Sequence, residues 1–419
     1  MTVHTTWKRA VGAAAAVTLA LAVAACGSNG GGGSTTTADG RSSLVWNMWS
    51  GSTAEVEAWN HLGGMVTAAH PDIQLEFQTS SFNDYWTKLA AQASGGDTGC
   101  ILGVQSLRAR SIAPLLVPLD DMLAGAGVNP ADFDQSIWRG LQVDGEQLAI
   151  PYDFGPLVMF FNVDRFREAG VPVPSVDWTV EDFLSAAQSL TTGGKYGFAL
   201  YPTIDTVIPW SLSLKGTDPV TPDGKMDLTQ QGFVEAVQWY TDLVNKLHVA
   251  PQVAATSDPT PALSTFIAGD AAMVVDGPWQ LVNLQKQAAF EVGVLPIPAG
   301  DSGSHSQVAG SGFGISQTCA DPEKAMQAIA VLTGPEALGY LADQGRAYPS
   351  RIAAQDAWFK PELAGAKEGL KAAIDNSVSS PATENYTQVS QLFTQYGVQA
   401  VNGQQSVPDF LNTVQQQTG

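Results

Sequence analysis

Two fragments of this chain carry the residue types of nucleophilic catalysis: a histidine in Thr67-Ala68-Ala69-His70 and a serine in Gly300-Asp301-Ser302-Gly303. A serine hydroxyl attacks a carbonyl only when an imidazole takes its proton, so the two would have to meet in space. Both have simpler readings. Pro71 follows His70 and closes a helix, while the Gly/Asp/Ser run is a surface turn. His61, His248 and His305 stand apart, and no CxxC or HExxH spacing occurs, so neither a metal site nor a cofactor is expected. Gly193-Gly194-Lys195 has Ser189 where a phosphate loop begins with glycine. Acids adjacent in sequence, such as Asp120/Asp121 and Glu181/Asp182, point in different directions. Since the acid and nucleophile of a glycosidase are often remote in sequence, a surface hydrolase stays as the alternative, but no residue is assigned a catalytic role.

The elements that would position such groups read as α/β. Residues 43–48 form a short buried run through Leu44, Val45 and Trp46, then a helix over 54–69 is ended by His70-Pro71. Ile73-Gln74-Leu75-Glu76-Phe77 alternates with period two, as a strand does, ahead of a helix over 85–93. Residues 101–104 and 148–150 supply further strands. After Pro151 the pattern restarts, with a strand over 157–161 and a helix over 163–169 closed by Gly170, Pro172 and Pro174. Thr179, with Asp182 three residues on, has capping-box spacing, and Phe183, Ala187 and Leu190 share one face. A helix from Thr229 buries Phe233, Val237 and Tyr240, and Asp321-Pro322-Glu323 starts another. Near the C-terminus, amphipathic helices run through Val389, Leu392, Phe393, Tyr396 and Val401. Strands and helices alternate throughout. That is not the pair of β-barrels of the trypsin-like proteases, whose motifs the His70 and Ser302 fragments imitate.

Charged residues are 14% of the 419, against a usual share of about 25%, and 40 acids outnumber 20 bases. With a net charge of −20 and no cluster of Lys and Arg, the chain is not expected to bind nucleic acid. At the N-terminus, Lys8 and Arg9 precede an apolar run over 10–24, shorter than the roughly 20 residues of a membrane-spanning helix. Val23-Ala24-Ala25 then places small residues before Cys26. This is an export signal, and it resembles the lipobox of bacterial lipoproteins. The likeness implies that residues 1–25 are a signal peptide, that Cys26 becomes the first residue, and that its thiol carries the lipid anchor. Residues 26–41, nearly all Gly, Ser and Thr, make a flexible tether with a reach of roughly 20 Å. Folding would begin near Ser42, at the extracytoplasmic face of the bacterial cell membrane. There Cys100 and Cys319 either pair or remain two small buried thiols.

Several blocks in order resemble the sugar-type extracellular solute-binding proteins, the maltose-binding-like family 1 that feeds ATP-driven importers. These are Val45-Trp46-Asn47-Met48-Trp49-Ser50-Gly51, His70-Pro71-Asp72-Ile73, and Pro151-Tyr152-Asp153 through Phe161-Asn162-Val163-Asp164. Phe266 to Trp279, with Gly269-Asp270-Ala271-Ala272-Met273 and Gly277-Pro278-Trp279, is the most specific. Val292-Gly293-Val294-Leu295-Pro296 and Pro349-Ser350-Arg351 complete the set. Two departures stand out: Thr98-Gly99-Cys100 replaces a usual Pro-Asp, and Phe161 stands where Tyr is common. The resemblance implies a two-lobed periplasmic-binding-protein-like fold of type II with discontinuous lobes joined by hinge crossovers. Residues 42–151 plus 311–345 would form the first lobe, and 152–310 plus 346–419 the second.

On that fold a solute sits in the inter-lobe cleft, and closure is a hinge motion. An indole matches the C–H face of a sugar ring, so Trp279, brought out where Gly277 and Pro278 end a buried strand, leads the ligand-binding candidates. Trp210, following Ile208-Pro209 in a loop, and Trp49, at the end of the first strand, are further stacking candidates. Asp153 can accept bonds from two sugar hydroxyls and Arg346 can donate several. Gln105 and Arg108, past the third strand, and Gly310 and Ser311, where backbone can approach closely, complete the set. The resemblance thus implies a monomeric lipoprotein that captures a sugar, oligosaccharide or polyol, or another neutral solute such as a glycerophosphodiester. Its other partners are a membrane permease and, through the lipid, the membrane. Inhibiting the lipoprotein signal peptidase is expected to leave an unprocessed precursor. A normally sized product released from the membrane fraction would exclude acylation of Cys26.

Overall fold

The apolar and period-two runs gather into two large sheets, beside a two-stranded one over Gln142–Val143 and Glu146–Gln147. The computed structural model describes residues 34–37, 40–221, 224–254, 260–346, 348–360 and 365–419, so the export signal and Cys26 lie outside the described residues. In the first sheet, Ser42–Trp49 lies parallel to both Ile73–Ser80 and Ile101–Gln105. The long strand Ser306–Ser316 runs antiparallel to Ile101–Gln105 and to Ile150–Pro156. In the second, Val158–Asn162 lies antiparallel between Ala271–Asp276 and Val292–Leu295, and Tyr196–Ala199 adds parallel to Ala271–Asp276.

Burial follows these layers. Helices Thr53–Ala69 and Pro322–Leu332 pack on the first sheet and on each other. Beneath them Phe313 stacks on Tyr152 with ring centroids 5.0 Å apart and meets Trp46 edge-on at 5.4 Å. The side-chain alternation of a strand divides the second sheet between two cores. Val158 and Phe160 extend the first core, whereas Met159 and Phe161 belong to a second one with Phe183, Phe198, Trp210 and Phe393. The helix Val180–Leu190 brings Phe183 to that second core. Its start is held by the expected capping box, in which the Thr179 hydroxyl accepts from Asp182 N–H and the Asp182 carboxylate accepts from Thr179 N–H. Such a cap contributes about 1 kcal/mol.

The α/β order agrees with the sequence reading, and the differences are local. The strand expected at 148–150 is Ile150–Pro156 and continues through Pro151, which stands opposite Gly312 where the register shifts. The helix expected from Thr229 is Gln231–Asn245. Within the stretch read as a tether, Ser34–Thr36 pairs antiparallel with Ser42–Leu44 as backbone, which Ser and Thr can do without burying an apolar side chain. Residues 348–359, expected with the second lobe, instead contact the first-sheet side: Ser350 C=O accepts from Asp134 N–H at 2.8 Å, and Arg351 pairs with Asp132 at 2.9 Å.

Of the two states left open for the cysteines, the structure has the bond: Cys100 and Cys319 form a disulfide. The unusual Thr98-Gly99-Cys100 turn is built around it. Gly99 sits at φ +82°, and a Cβ there would press on the Asn47 amide, which donates to Thr98 C=O at 2.8 Å. Thr98 and Ser316 hydroxyls bond across the turn at 2.6 Å. Closing a loop across 219 residues restricts the unfolded chain, for about 5 kcal/mol in the chain-entropy limit. Cys319→Ala is therefore expected to lower the urea midpoint clearly; a midpoint that moves neither on substitution nor with reductant would contradict a stabilising bond.

Candidate functional site

The two strands Ile150–Pro156 and Ser306–Ser316 set the geometry of the candidate site. Their ladder runs from Val308 opposite Pro156 to Phe313 opposite Ile150, with an irregularity between Ser311 and Gly312. Cβ atoms at Gly310, Gly312 and Gly314 would lie 2.5 to 2.6 Å from the carbonyl oxygens of Asp153, Ile150 and Leu148. Glycine is needed here for the neighbouring strand. This corrects the expectation for Gly310, whose close approach is taken up by chain; its N–H donates to the Ser106 hydroxyl at 3.2 Å.

Asp153 and Ser311 do meet. The Ser311 N–H donates to the Asp153 carboxylate at 2.9 Å, and both residues are buried. Burial pushes the Asp153 carboxyl up to about 7, against the pull of Arg346 and of the Ser311 bonds, while nearby Glu55 pushes the same way as burial. Arg346 is placed here as expected, but its guanidinium is engaged by Glu55 and lies over the Trp59 ring at 5.8 Å. Glu55 also accepts from Gly51 N–H at 2.7 Å, so the loop after the first strand is tied to the same cluster. Its position three residues past the Ser52 cap accounts for a helix-start acid, but sequence gives no sign of a partner 291 positions away.

Three further candidates are placed differently. Gln105 lies opposite Ser311 in the sheet, and its side chain accepts from Arg108. Arg108, 3% exposed, is enclosed by the rings of Phe82, Trp86 and Tyr386 at 5.1 to 5.2 Å and donates to the Ser390 hydroxyl at 3.1 Å. It holds the helix Tyr386–Val401 against the first-sheet side, through cation–π contacts rather than an exposed donor face. Trp49, 8% exposed, packs edge-on against Phe82 and Tyr85 and rests on Gly103. Trp210 is fully buried between Phe183 and Trp239, with centroids 5.0 and 4.9 Å away. Its loop reading rested on Pro209, yet Pro209 lies inside the helix Ile204–Lys215, where burial in the core offsets the lost hydrogen bond. Neither tryptophan offers a free face.

Trp279 does emerge where expected. The buried strand Ala271–Asp276 ends, a short turn over Pro278–Gln280 follows, and Trp279 is partly exposed. Pro278 packs on Gly155, two residues from Asp153, and Val282 packs on Gly345, beside Arg346. The partly exposed indole thus follows a proline packed two residues from Asp153 and precedes a valine packed beside Arg346. This arrangement suits a small polar solute with an apolar face. No nucleophilic pair forms: His70 caps a helix by donating its N–H to Val66, and Ser302 lies in a turn held to Ser213. Among the described residues no cluster of three metal-ligating side chains occurs.

Comparison with known proteins places this geometry. Residues 50–338 match the family model described as bacterial extracellular solute-binding protein. A lipoprotein encoded upstream of oleD in Streptomyces antibioticus is 26% identical over 322 residues, 73% of this chain and 70% of that one. An ABC substrate-binding protein of Listeria monocytogenes, solved in complex with cycloalternan, superposes with a TM-score of 0.82 at 22% identity, covering 90% of this chain and 97% of that one. MalE3 of T. maritima, solved with maltose, gives 0.76 at 21%, covering 90% and 98%. The fold is therefore the two-lobed type II arrangement expected from the sequence.

Removing the Arg346 guanidinium leaves Glu55 buried without its partner, so Arg346→Ala is expected to cost about 3 kcal/mol in urea unfolding. A cost below about 0.5 kcal/mol would mean the pair is solvated. For Asp153 the folded-state value lies above the ordinary one near 3.8, so the native state holds the proton more tightly. Its contribution is present below about pH 4 and is lost as pH rises to about 7. Asp153→Asn is expected to flatten that decline in melting temperature between pH 4 and 7; an unchanged slope would assign it to other groups.

Proposed function

Because this chain belongs to the bacterial extracellular solute-binding protein family, we propose that it captures a sugar, oligosaccharide or polyol between its lobes and delivers it to an ABC permease. The observation that carries the reading is Trp279: a partly exposed indole at the end of a buried strand, on a turn whose Pro278 packs on Gly155 and whose following helix packs through Val282 on Gly345. An indole buries the C–H face of a sugar ring at low entropic cost, and the neighbouring groups are of the types that exchange hydrogen bonds with hydroxyls. The solved relatives carrying cycloalternan and maltose support the same chemistry. The protein performs no chemistry on its solute and works as a monomer. In this reading the lobes divide as the resemblance implies, with residues 348–359 assigned to the first.

The lipid on Cys26 would keep this receptor at the extracytoplasmic membrane surface, where a short tether raises its local concentration at the permease. Closure is selective because only bound solute contacts both lobes. A thermal-shift screen tests the reading directly, since a solute that binds the native state alone raises the melting temperature. One carbohydrate of the panel is expected to do so, and Trp279→Ala to abolish the shift while leaving the unliganded transition cooperative. A shift by glycerophosphocholine alone would replace the sugar with a glycerophosphodiester. Turnover of a glycoside would contradict the transport role.

A further inference from the structure

The turn that carries Trp279 contains two residues whose types the backbone does not demand. Gly277 has φ −94° and ψ 165°, an extended conformation open to any residue. Yet a Cβ there would clash with the six-membered ring of the Trp279 indole, against Cη2, Cζ2 and Cζ3. Glycine is present because the ring is folded back over its Cα. Asp276, one residue earlier, is an acid at the end of a buried strand, where a charge is expensive unless it is bonded. It accepts from Gly277 N–H at 2.7 Å, and the Trp279 side chain, whose single donor is the indole N–H, favours its charged form. Burial raises the Asp276 carboxyl to about 6, and the Gly277 bond and the Trp279 side chain oppose the shift.

We propose that Asp276 and Gly277 are positioning residues for Trp279: the glycine admits the ring, and the carboxylate fixes its rotation so that one indole face is presented before the solute arrives. The proposal rests on the stacking role given to Trp279 above. A surface already held in place loses little rotamer freedom on contact, so the affinity gained by stacking is retained. Asp276 acts through the indole and does not touch the solute. Nothing in the strand pairing requires an acid there, since Asp276 meets Val158 across the ladder through backbone.

The ligand-free protein tests both halves. Gly277→Ala is expected to lower the melting temperature when Trp279 is present and to have little effect in the Trp279→Ala background, where the space is empty. Equal losses in the two backgrounds would overturn the role of Gly277. The Trp279 indole N–H, assigned by its absence in Trp279→Ala, is expected to exchange with solvent roughly tenfold faster in Asp276→Ala, with protection restored in Asp276→Asn, which keeps an acceptor oxygen. Unchanged exchange in Asp276→Ala would overturn the role of Asp276. With maltose as the probe, Asp276→Ala is expected to weaken binding roughly tenfold with Trp279 and not at all without it. Equal weakening in both backgrounds would mean that Asp276 contacts the sugar, and the proposal fails. Absence of maltose binding by the unaltered protein counts against maltose as the solute, while exchange and melting still decide the positioning role.

Discussion

Everything at the centre of this molecule depends on how closely Ile150–Pro156 and Ser306–Ser316 approach each other. Alternate glycines at 310, 312 and 314 let the carbonyls of one strand stand where side chains of the other would be. The approach places Asp153 against the Ser311 N–H and sets Gln105 opposite Ser311 on the far side of the same strand. It also leaves Gly155 bare enough for Pro278 to pack on it, which fixes where Trp279 leaves the second sheet. A side chain at any of these glycines would separate the groups that the site needs together.

The charges gathered there explain why this region is both costly and specific. Glu55 pairs with Arg346, whose charge also favours ionised Asp153, but burial outweighs that pull and leaves the Asp153 carboxyl raised to about 7. A buried pair of this kind adds little net stability over apolar packing, and its retention is better explained by what it orients. Arg108 does comparable work at the edge of the site. Its guanidinium is neutralised by no carboxylate among its hydrogen-bond partners; the faces of Phe82, Trp86 and Tyr386 and the oxygens of Gln105 and Ser390 surround it instead. Because Phe82 and Trp86 come from one side and Tyr386 and Ser390 from the helix Tyr386–Val401, Arg108 couples segments remote in sequence.

Much of this was legible before the structure. Period-two and helical patterns located the elements, the Thr179 and Asp321 caps are present, and Trp279 leaves its strand where Gly277-Pro278 said it would. What sequence could not supply was depth. Trp49 and Trp210 have the same neighbours in sequence as exposed stacking residues, and only the packing of Tyr85, Phe183 and Trp239 against them shows that their faces are covered. Glu55, Ser106 and Asp276 were missed for the opposite reason: each has a sufficient local explanation, as a helix-start acid, a turn serine or a strand-end acid. Their partners lie far along the chain, or depend on a side-chain rotation that spacing does not encode. The cysteine pair was undecided because a bond across so long a loop leaves no local pattern.

The central claim is that a solute lies between the two lobes with its apolar face on Trp279 and its hydroxyls near Asp153 and Arg346. A crystal structure of the protein with the carbohydrate that most raises its melting temperature measures this most directly. A sugar ring parallel to the Trp279 indole is expected, with a hydroxyl within hydrogen-bond distance of Asp153 or Arg346. Density for the sugar elsewhere, such as the outer surface around Trp239, Glu235 and Lys215, with Trp279 free, would contradict it.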